Sequence, residues 1–238
     1  MADGRRLVRI TPTVAAAALL AACVPLAPPP YATPSPVEVD ASGGASDDGF
    51  TPAERVSLRV WATTCNAYRN GTAWMLDETH AVTNRHVVEG TTVVELTDYR
   101  GTVFHGSSAA YSETDDLAIV TIDGSFPDAA AVAEAEPVVG EPLTVTGYAL
   151  GGPLATLTGP YVGLRDNQLD PGGAQVYFIE VPAREGNSGS PVTDADGEVV
   201  GVVFSSDGED FAGAVTLERL RAFLRDDAER TAVDTSCG

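Results

Sequence analysis

Beyond residue 50, short apolar runs rich in Val, Thr and Ile recur along the chain, punctuated by Gly, Pro and Asp. That pattern is the one strands make when tight turns join them. It predicts strands near 57–63, 72–76, 80–83, 91–96, 102–104 and 117–122. A second set falls near 142–146, 155–164, 176–181, 190–193, 199–204 and 211–215. The Ala- and Glu-rich stretch 127–142 between the sets reads as a connection. One segment changes period. Leu217, Leu220, Phe223 and Leu224 share a face at helical spacing, which predicts a helix from Leu217 to about Glu229. Thr216 suits its N-cap and Glu218 its positive end. The length after residue 50 suffices for one domain with a substantial core, or for two small packed barrels.

The first 50 residues follow none of these periods. Arg5, Arg6 and Arg9 precede an apolar, Ala-rich run over 14–22, too short to span a bilayer. This reads as an export signal. It ends in Leu20-Ala21-Ala22-Cys23, which matches the bacterial lipoprotein box, in which the cysteine is lipidated and becomes the first residue. Residues 1–23 are therefore taken as a signal peptide with lipidation at Cys23; the alternative is simple cleavage and release. Residues 24–50, rich in Pro and then in Ser, Gly and Asp, read as a disordered stalk. Its reach is roughly 30–80 Å, from about 3 Å per residue when extended down to random-coil scaling. A folded domain over 51–238 follows.

Charge and cysteine usage narrow the class further. The chain carries 34 acidic and 14 basic residues for a formal net charge of −20, and all the basic residues are arginine. Such a surface repels nucleic acid and anionic lipid head groups, so nucleic acid is excluded as a partner. With Cys23 lipidated, Cys65 and Cys237 are the two thiols left. In an oxidising compartment they are expected to form a disulfide, stapling the C-terminal end near the first strand set. By chain-entropy reasoning, closing so long a loop contributes about 5 kcal/mol. The histidines lack ligand spacing and no Cys pair is close in sequence, so no metal site and no cofactor is expected.

The candidate chemistry sits in Gly186-Asn187-Ser188-Gly189-Ser190-Pro191, a serine between glycines in a turn joining two apolar segments. Glycine lets the backbone bend sharply and leaves N–H groups aimed at one spot beside the hydroxyl. A serine hydroxyl needs a base within hydrogen-bond reach. The chain has no lysine, so the base must come from His80, His86 or His105. His86 lies where an apolar strand runs into a polar turn, at the edge of a cleft; His80 and His105 read as solvated loop histidines. A carboxylate must then orient the imidazole. Asp116 directly precedes the apolar run 117–122, so its side chain can be planted inside. Its neighbour Asp115 is the rival, and alternation along a strand turns only one of the pair inward.

In the order His, Asp, Ser, three segments resemble the chymotrypsin-like (trypsin-like) serine proteases, most of all their bacterial trypsin-like and HtrA-type branch without a PDZ domain. They are Gly71-Thr72-Ala73-Trp74 leading to Thr83-Asn84-Arg85-His86-Val87-Val88, then Asp116-Leu117-Ala118-Ile119-Val120, then Gly186 to Pro191. The resemblance implies an all-β fold of two packed six-stranded antiparallel barrels with a C-terminal helix. Barrel one would cover about 51–126, barrel two about 141–215, and the helix about 216–230. It implies a serine endopeptidase acting through an acyl-enzyme, with His86 as base, Asp116 as orienter and Ser188 as nucleophile. The N–H groups of Gly186 and Ser188 would form the oxyanion hole.

Three departures from the family pattern matter. Asn187 stands where the digestive relatives place an aspartate that pairs with a freed N-terminus, so that route of zymogen activation is not expected. Ser190 replaces a common glycine. Pro182 stands at the pocket position where an acid would select Arg or Lys. With Phe204, Ser205, Ser206 and Gly213, Pro182 suggests a modest apolar pocket. The pocket histidine of glutamyl endopeptidases has no counterpart here. The reading is thus a monomeric, extracytoplasmic protease, tethered to the outer face of the membrane through Cys23 or secreted, cleaving proteins or peptides. The alternative is a non-catalytic module on the same fold that binds an extended peptide along an edge strand.

Overall fold

The computed structural model describes residues 48–167, 169 and 173–237. The expected signal peptide, the Cys23 lipidation site and the stalk as far as residue 47 lie outside the described residues. Asp48 to Phe50, assigned to the stalk by composition, pack on the domain instead. The Asp48 carboxylate accepts from Tyr99 Oη at 3.0 Å and pairs with Arg55 at 2.8 Å, while the rings of Phe50 and Tyr99 lie 4.6 Å apart. A short helix α1 (Pro52–Val56) follows, closed by a Thr51/Glu54 capping box with proline in its first turn. The Thr-Pro-Ala-Glu string carries that signal, although the apolar pattern does not.

Barrel one holds β1 (Ser57–Thr64), β2 (Tyr68–Met75), β3 (His80–Thr83), β4 (Thr91–Thr97), β5 (Val103–Ser112) and β6 (Ala118–Ile122). All neighbours are antiparallel in the order β4-β1-β2-β3-β6-β5, and the β4–β5 pairing closes the ring. A one-turn helix α2 (Arg85–Val88) interrupts the path from β3 to β4. Barrel two holds β7 (Pro142–Gly147), β8 (Ala155–Arg165), β9 (Val176–Ile179), β10 (Pro191–Thr193), β11 (Val199–Ser206) and β12 (Ala212–Val215), closed as β10-β11-β12-β9-β8-β7. The expected architecture of two six-stranded barrels is the one observed. Inward positions fill each interior, with Leu58, Trp74, Leu96 and Leu117 in the first core. Leu143, Tyr177, Ile179 and Val192 fill the second.

The largest departure in strand length is β5. The expected strand stopped near residue 104 because His105-Gly106-Ser107-Ser108 has little strand preference, yet the strand continues to Ser112. Tertiary pairing with β6 overrides the local signal.

The C-terminal helix is also shorter than its apolar face predicts. Helix α3 (Leu217–Arg225) ends before Asp226. Arg230 then turns back to the helix end, where its Nη2 donates to the carbonyls of Phe223 at 2.8 Å and Leu224 at 3.1 Å. From there the chain forms β13 (Arg230–Ala232), which extends barrel one along β5. Three residues without alternation gave no sign of that strand.

Thr216 occupies the N-cap of α3, but its side chain makes no capping bond. The free amides are satisfied from elsewhere. Leu217 N donates to Tyr177 Oη at 3.1 Å, and Glu218 N donates to the Glu136 carboxylate at 3.0 Å. Glu136 belongs to the inter-barrel connection and also accepts from Tyr177 Oη. Desolvation, and then this carboxylate, push the Tyr177 phenol far above its ordinary pKa, so it stays a donor. The expected Cys65–Cys237 disulfide is present and joins positions 172 residues apart. No helix among the described residues is long and apolar enough to cross a membrane.

Candidate active site

The strand β3 delivers the chain to α2, where His86 occupies the first turn. Two bonds tie it to Asp116, just ahead of β6. His86 N donates to one carboxylate oxygen at 2.9 Å, and His86 Nδ1 lies 2.5 Å from the other. Asn84 Nδ2 donates to the Asp116 carbonyl at 2.6 Å, fixing the backbone beneath the carboxylate. The ring bond puts the proton on Nδ1 and leaves the Nε2 lone pair free to take another. Asp116 is 26% exposed and His86 48%, so the pair sits at a cleft wall and not in the interior. Asp115, its neighbour in the bend before β6, pairs instead with Arg219 of α3.

The other histidines stand apart from this pair. His80 begins β3 and bonds to Asp77 at 2.9 Å; His105 lies on β5, 3.9 Å from Glu95, and so is in a strand and not a loop.

The loop before β10 presents Ser188. Its geometry follows from an accounting of backbone groups. Three of the amides from Gly186 to Ser190 are spent: Asn187 N on Arg184 O at 3.0 Å, Gly189 N on Val203 O at 2.8 Å, and Ser190 N on Asn187 O at 2.9 Å. Those of Gly186 and Ser188 have no hydrogen-bond partner among the described residues. Three more carbonyls of the same loop are engaged too. Glu185 O accepts from Leu150 N at 2.5 Å, Gly186 O from Thr72 Oγ1 at 2.8 Å, and Ser188 O from Thr72 N at 2.8 Å. In a trans peptide the N–H points opposite its carbonyl. Anchoring the carbonyls of Glu185 and Asn187 therefore aims the Gly186 and Ser188 amides the other way, the arrangement that receives an anionic oxygen.

Glycine is required twice on this loop. Gly186 at φ +91° and Gly189 at φ +87° adopt a conformation L side chains rarely take. A Cβ on Gly186 would lie 2.4 Å from Tyr148 O, and one on Gly189 would lie 2.0 Å from Thr72 O. Among the described residues, Leu150 alone has a positive φ without being glycine, at 55°. Such a placement costs about 1–2 kcal/mol. It puts the Leu150 N–H on Glu185 O.

Among the described residues, no hydrogen bond joins His86 to Ser188. His86 and Asp116 are thus brought together, and Ser188 stands in the cleft without a bonded base.

A cavity of about 230 Å³ opens beside Ser188, walled by Val203, Phe204, Ser205, Ser206, Arg184 and Glu185. Its lining mixes the apolar Val203 and Phe204 with polar and charged side chains. Pro182 is exposed and does not line it, and Gly213 borders a neighbouring cavity of about 480 Å³ with Phe178 and Phe211. Arg184 was missed. Its Nη1 donates to Ala183 O and Glu209 O, each at 3.0 Å, bracing the two walls of the cavity. Its place just before the serine loop was the available signal.

Two six-stranded antiparallel barrels, with a His–carboxylate pair on one and a serine loop with open amides on the other, define a chymotrypsin-like fold. The model of the trypsin-like peptidase domain matches residues 71–202, and the chain belongs to that family. It is 30% identical over 189 residues to the serine protease Rv3671c of Mycobacterium tuberculosis strain H37Rv, a match spanning 74% of this chain and 45% of that protein. It is 29% identical over 143 residues to the serine protease Do-like HtrB of Bacillus subtilis, across 53% of this chain and 30% of that protein. The chain thus spans less than half the length of these curated relatives. The crystal structure of the active form of Rv3671c superposes with a TM-score of 0.68 at 22% identity, covering 77% of this chain and 86% of that one. The HtrA-type protease AlgW with a decapeptide gives 0.63 at 16% identity, covering 73% of this chain and 64% of that one. At these identities the two structures establish a shared fold.

Proposed function

We propose that the protein is a serine endopeptidase in which Ser188 attacks a peptide carbonyl and forms an acyl-enzyme. His86 takes the hydroxyl proton on Nε2 and returns it to the leaving amine. Asp116 holds the imidazole and stabilises its protonated form. The Gly186 and Ser188 amides receive the oxyanion, an interaction worth about 3 kcal/mol per donor. The observation that carries this reading is the amide accounting. Among the loop amides from Gly186 to Ser190, those of Asn187, Gly189 and Ser190 are bonded, and the two left open are those of Ser188 itself and of Gly186 two residues before it. Membership of a family whose relatives bear the name serine protease supports it.

The expected export signal and the lipid anchor on Cys23 belong to the same proposal. They would place the domain outside the cytoplasm, tethered or released, acting as a monomer on exported proteins or peptides. One observation keeps a second reading in play: without a His86–Ser188 bond, the fold could serve as a peptide-binding module. A fluorophosphonate probe decides between them. Labelling of the wild type that vanishes in Ser188→Ala supports the enzyme; an unlabelled wild type overturns it and favours the module.

A further inference from the structure

We infer that Thr72, a residue of barrel one, is the positioning residue that holds the oxyanion-binding amides of barrel two in register. This inference rests on the protease reading above. Thr72 is fully buried on β2, and its amide and hydroxyl make three bonds to the other barrel. Its N–H donates to Ser188 O at 2.8 Å, its hydroxyl donates to Gly186 O at 2.8 Å, and the same hydroxyl accepts from Tyr148 N at 3.0 Å. The remaining polar group, its carbonyl, accepts from Thr83 Oγ1 at 2.7 Å, which fixes Thr72 to its own barrel.

The hydroxyl has no freedom of orientation. Tyr148 N–H can only donate and Gly186 O can only accept, so the single hydroxyl proton must point at Gly186. That carbonyl belongs to the residue with the widest backbone freedom on the loop. The peptide before Gly186 is pinned by Leu150 N on Glu185 O, and the peptide after it by Thr72. Rotation of either peptide would turn the Gly186 amide out of the cleft or turn a carbonyl in. Tyr148 links the two pins. The bond from its N–H to Thr72 seats the turn that carries Leu150, and Arg59 of β1 braces that turn through Gly151 O at 3.4 Å. The oxyanion site is therefore set by how the barrels dock and not by the serine loop alone.

The test uses the full chain and compares Thr72→Val, which keeps the shape but has no hydroxyl, with Thr72→Ser, which keeps the hydroxyl. Active sites are titrated with a fluorophosphonate, so every rate refers to a competent site. Thr72→Val should lower kcat by about 10–100-fold, somewhat less than outright loss of an oxyanion donor, while KM moves by less than about threefold. Affinity for a peptidyl aldehyde, whose adduct carries the oxyanion, should fall in parallel with kcat/KM. Thr72→Ser should recover kcat to within about threefold. A merely structural threonine would lower the melting temperature and the titratable fraction but leave the per-site kcat and the aldehyde affinity alone. That result overturns the inference. Should Thr72→Val melt too low to assay, Thr72→Cys makes the same comparison, since its thiol keeps the volume and donates weakly. If the wild type itself takes no fluorophosphonate, the protease reading falls and this inference falls with it. If the wild type labels and turns over and Thr72→Val matches it, this inference alone fails.

Discussion

The two barrels contribute to the cleft in different ways. Barrel one builds its share from its own parts: His86, Asp116 and Asn84 bond to one another across β3, α2 and the start of β6. Barrel two does so only in part. Its serine loop is held by Thr72 from the opposite barrel and by a turn whose Leu150 sits at φ 55°. The His86–Asp116 pair is thus fixed within one barrel, whereas the serine loop takes part of its support from the other. A loop that keeps two amides unbonded cannot be stabilised through those amides, so several of its remaining groups take partners from outside: Leu150, Val203 and Thr72.

The sharpest way to break this contrast acts on barrel one. Asp116→Asn should keep the fold and leave the serine loop as it is, yet cut kcat by about 10⁴-fold through the wrong imidazole tautomer. Turnover, read together with the histidine tautomer by nitrogen NMR, checks this. A loss below about tenfold would show that the His86–Asp116 pair does not drive the chemistry.

Next in size is Gly186→Val in barrel two, whose side chain would drive into the backbone of Tyr148 and Leu150. Loss of about 10²–10³-fold in kcat is expected with the His86–Asp116 bond intact. If that bond broke too, visible as a changed tautomer signal, the halves would be coupled and the contrast would fail.

The smallest effect concerns the cavity of about 480 Å³ next to the one beside Ser188. Asp207 accepts from the amides of Glu209, Phe211 and Asp210, and these bonds hold its carboxyl below the ordinary carboxylate range. A group with a lowered folded pKa stabilises the fold above its unfolded pKa and loses that contribution as pH falls through the folded value. Asp207→Asn should therefore lower the melting temperature slightly at neutral pH and converge with wild type in acid. A constant offset at every pH would refute the assigned role.

Much of this was legible along the chain. Alternation located most strands, because each barrel wall has one wet and one dry face. The adjacency of Asp116 to the run 117–122 singled it out over Asp115, and Asp116 is the one bonded to His86 while Asp115 pairs with Arg219. Where pattern failed, a distant partner had overridden a weak local preference. This happened in the second half of β5 and in β13, which pair with each other. It happened again at Thr216, where Glu136 and Tyr177 supply the cap.

By itself the sequence determined the composition of the site: one serine between glycines, one histidine at a strand end, one acid beside a buried run. Tertiary structure alone decided which amides stay open, that Arg184 and not Pro182 walls the cavity, and that Thr72 reaches across to the serine loop. The reason is directional. Residue type records what a group can donate or accept, but the orientation of a peptide plane depends on the partner that binds its other side, and packing alone supplies those partners: Leu150 and Ser190 for the peptides that carry the open amides, and Thr72 of the other barrel for the carbonyls of Gly186 and Ser188.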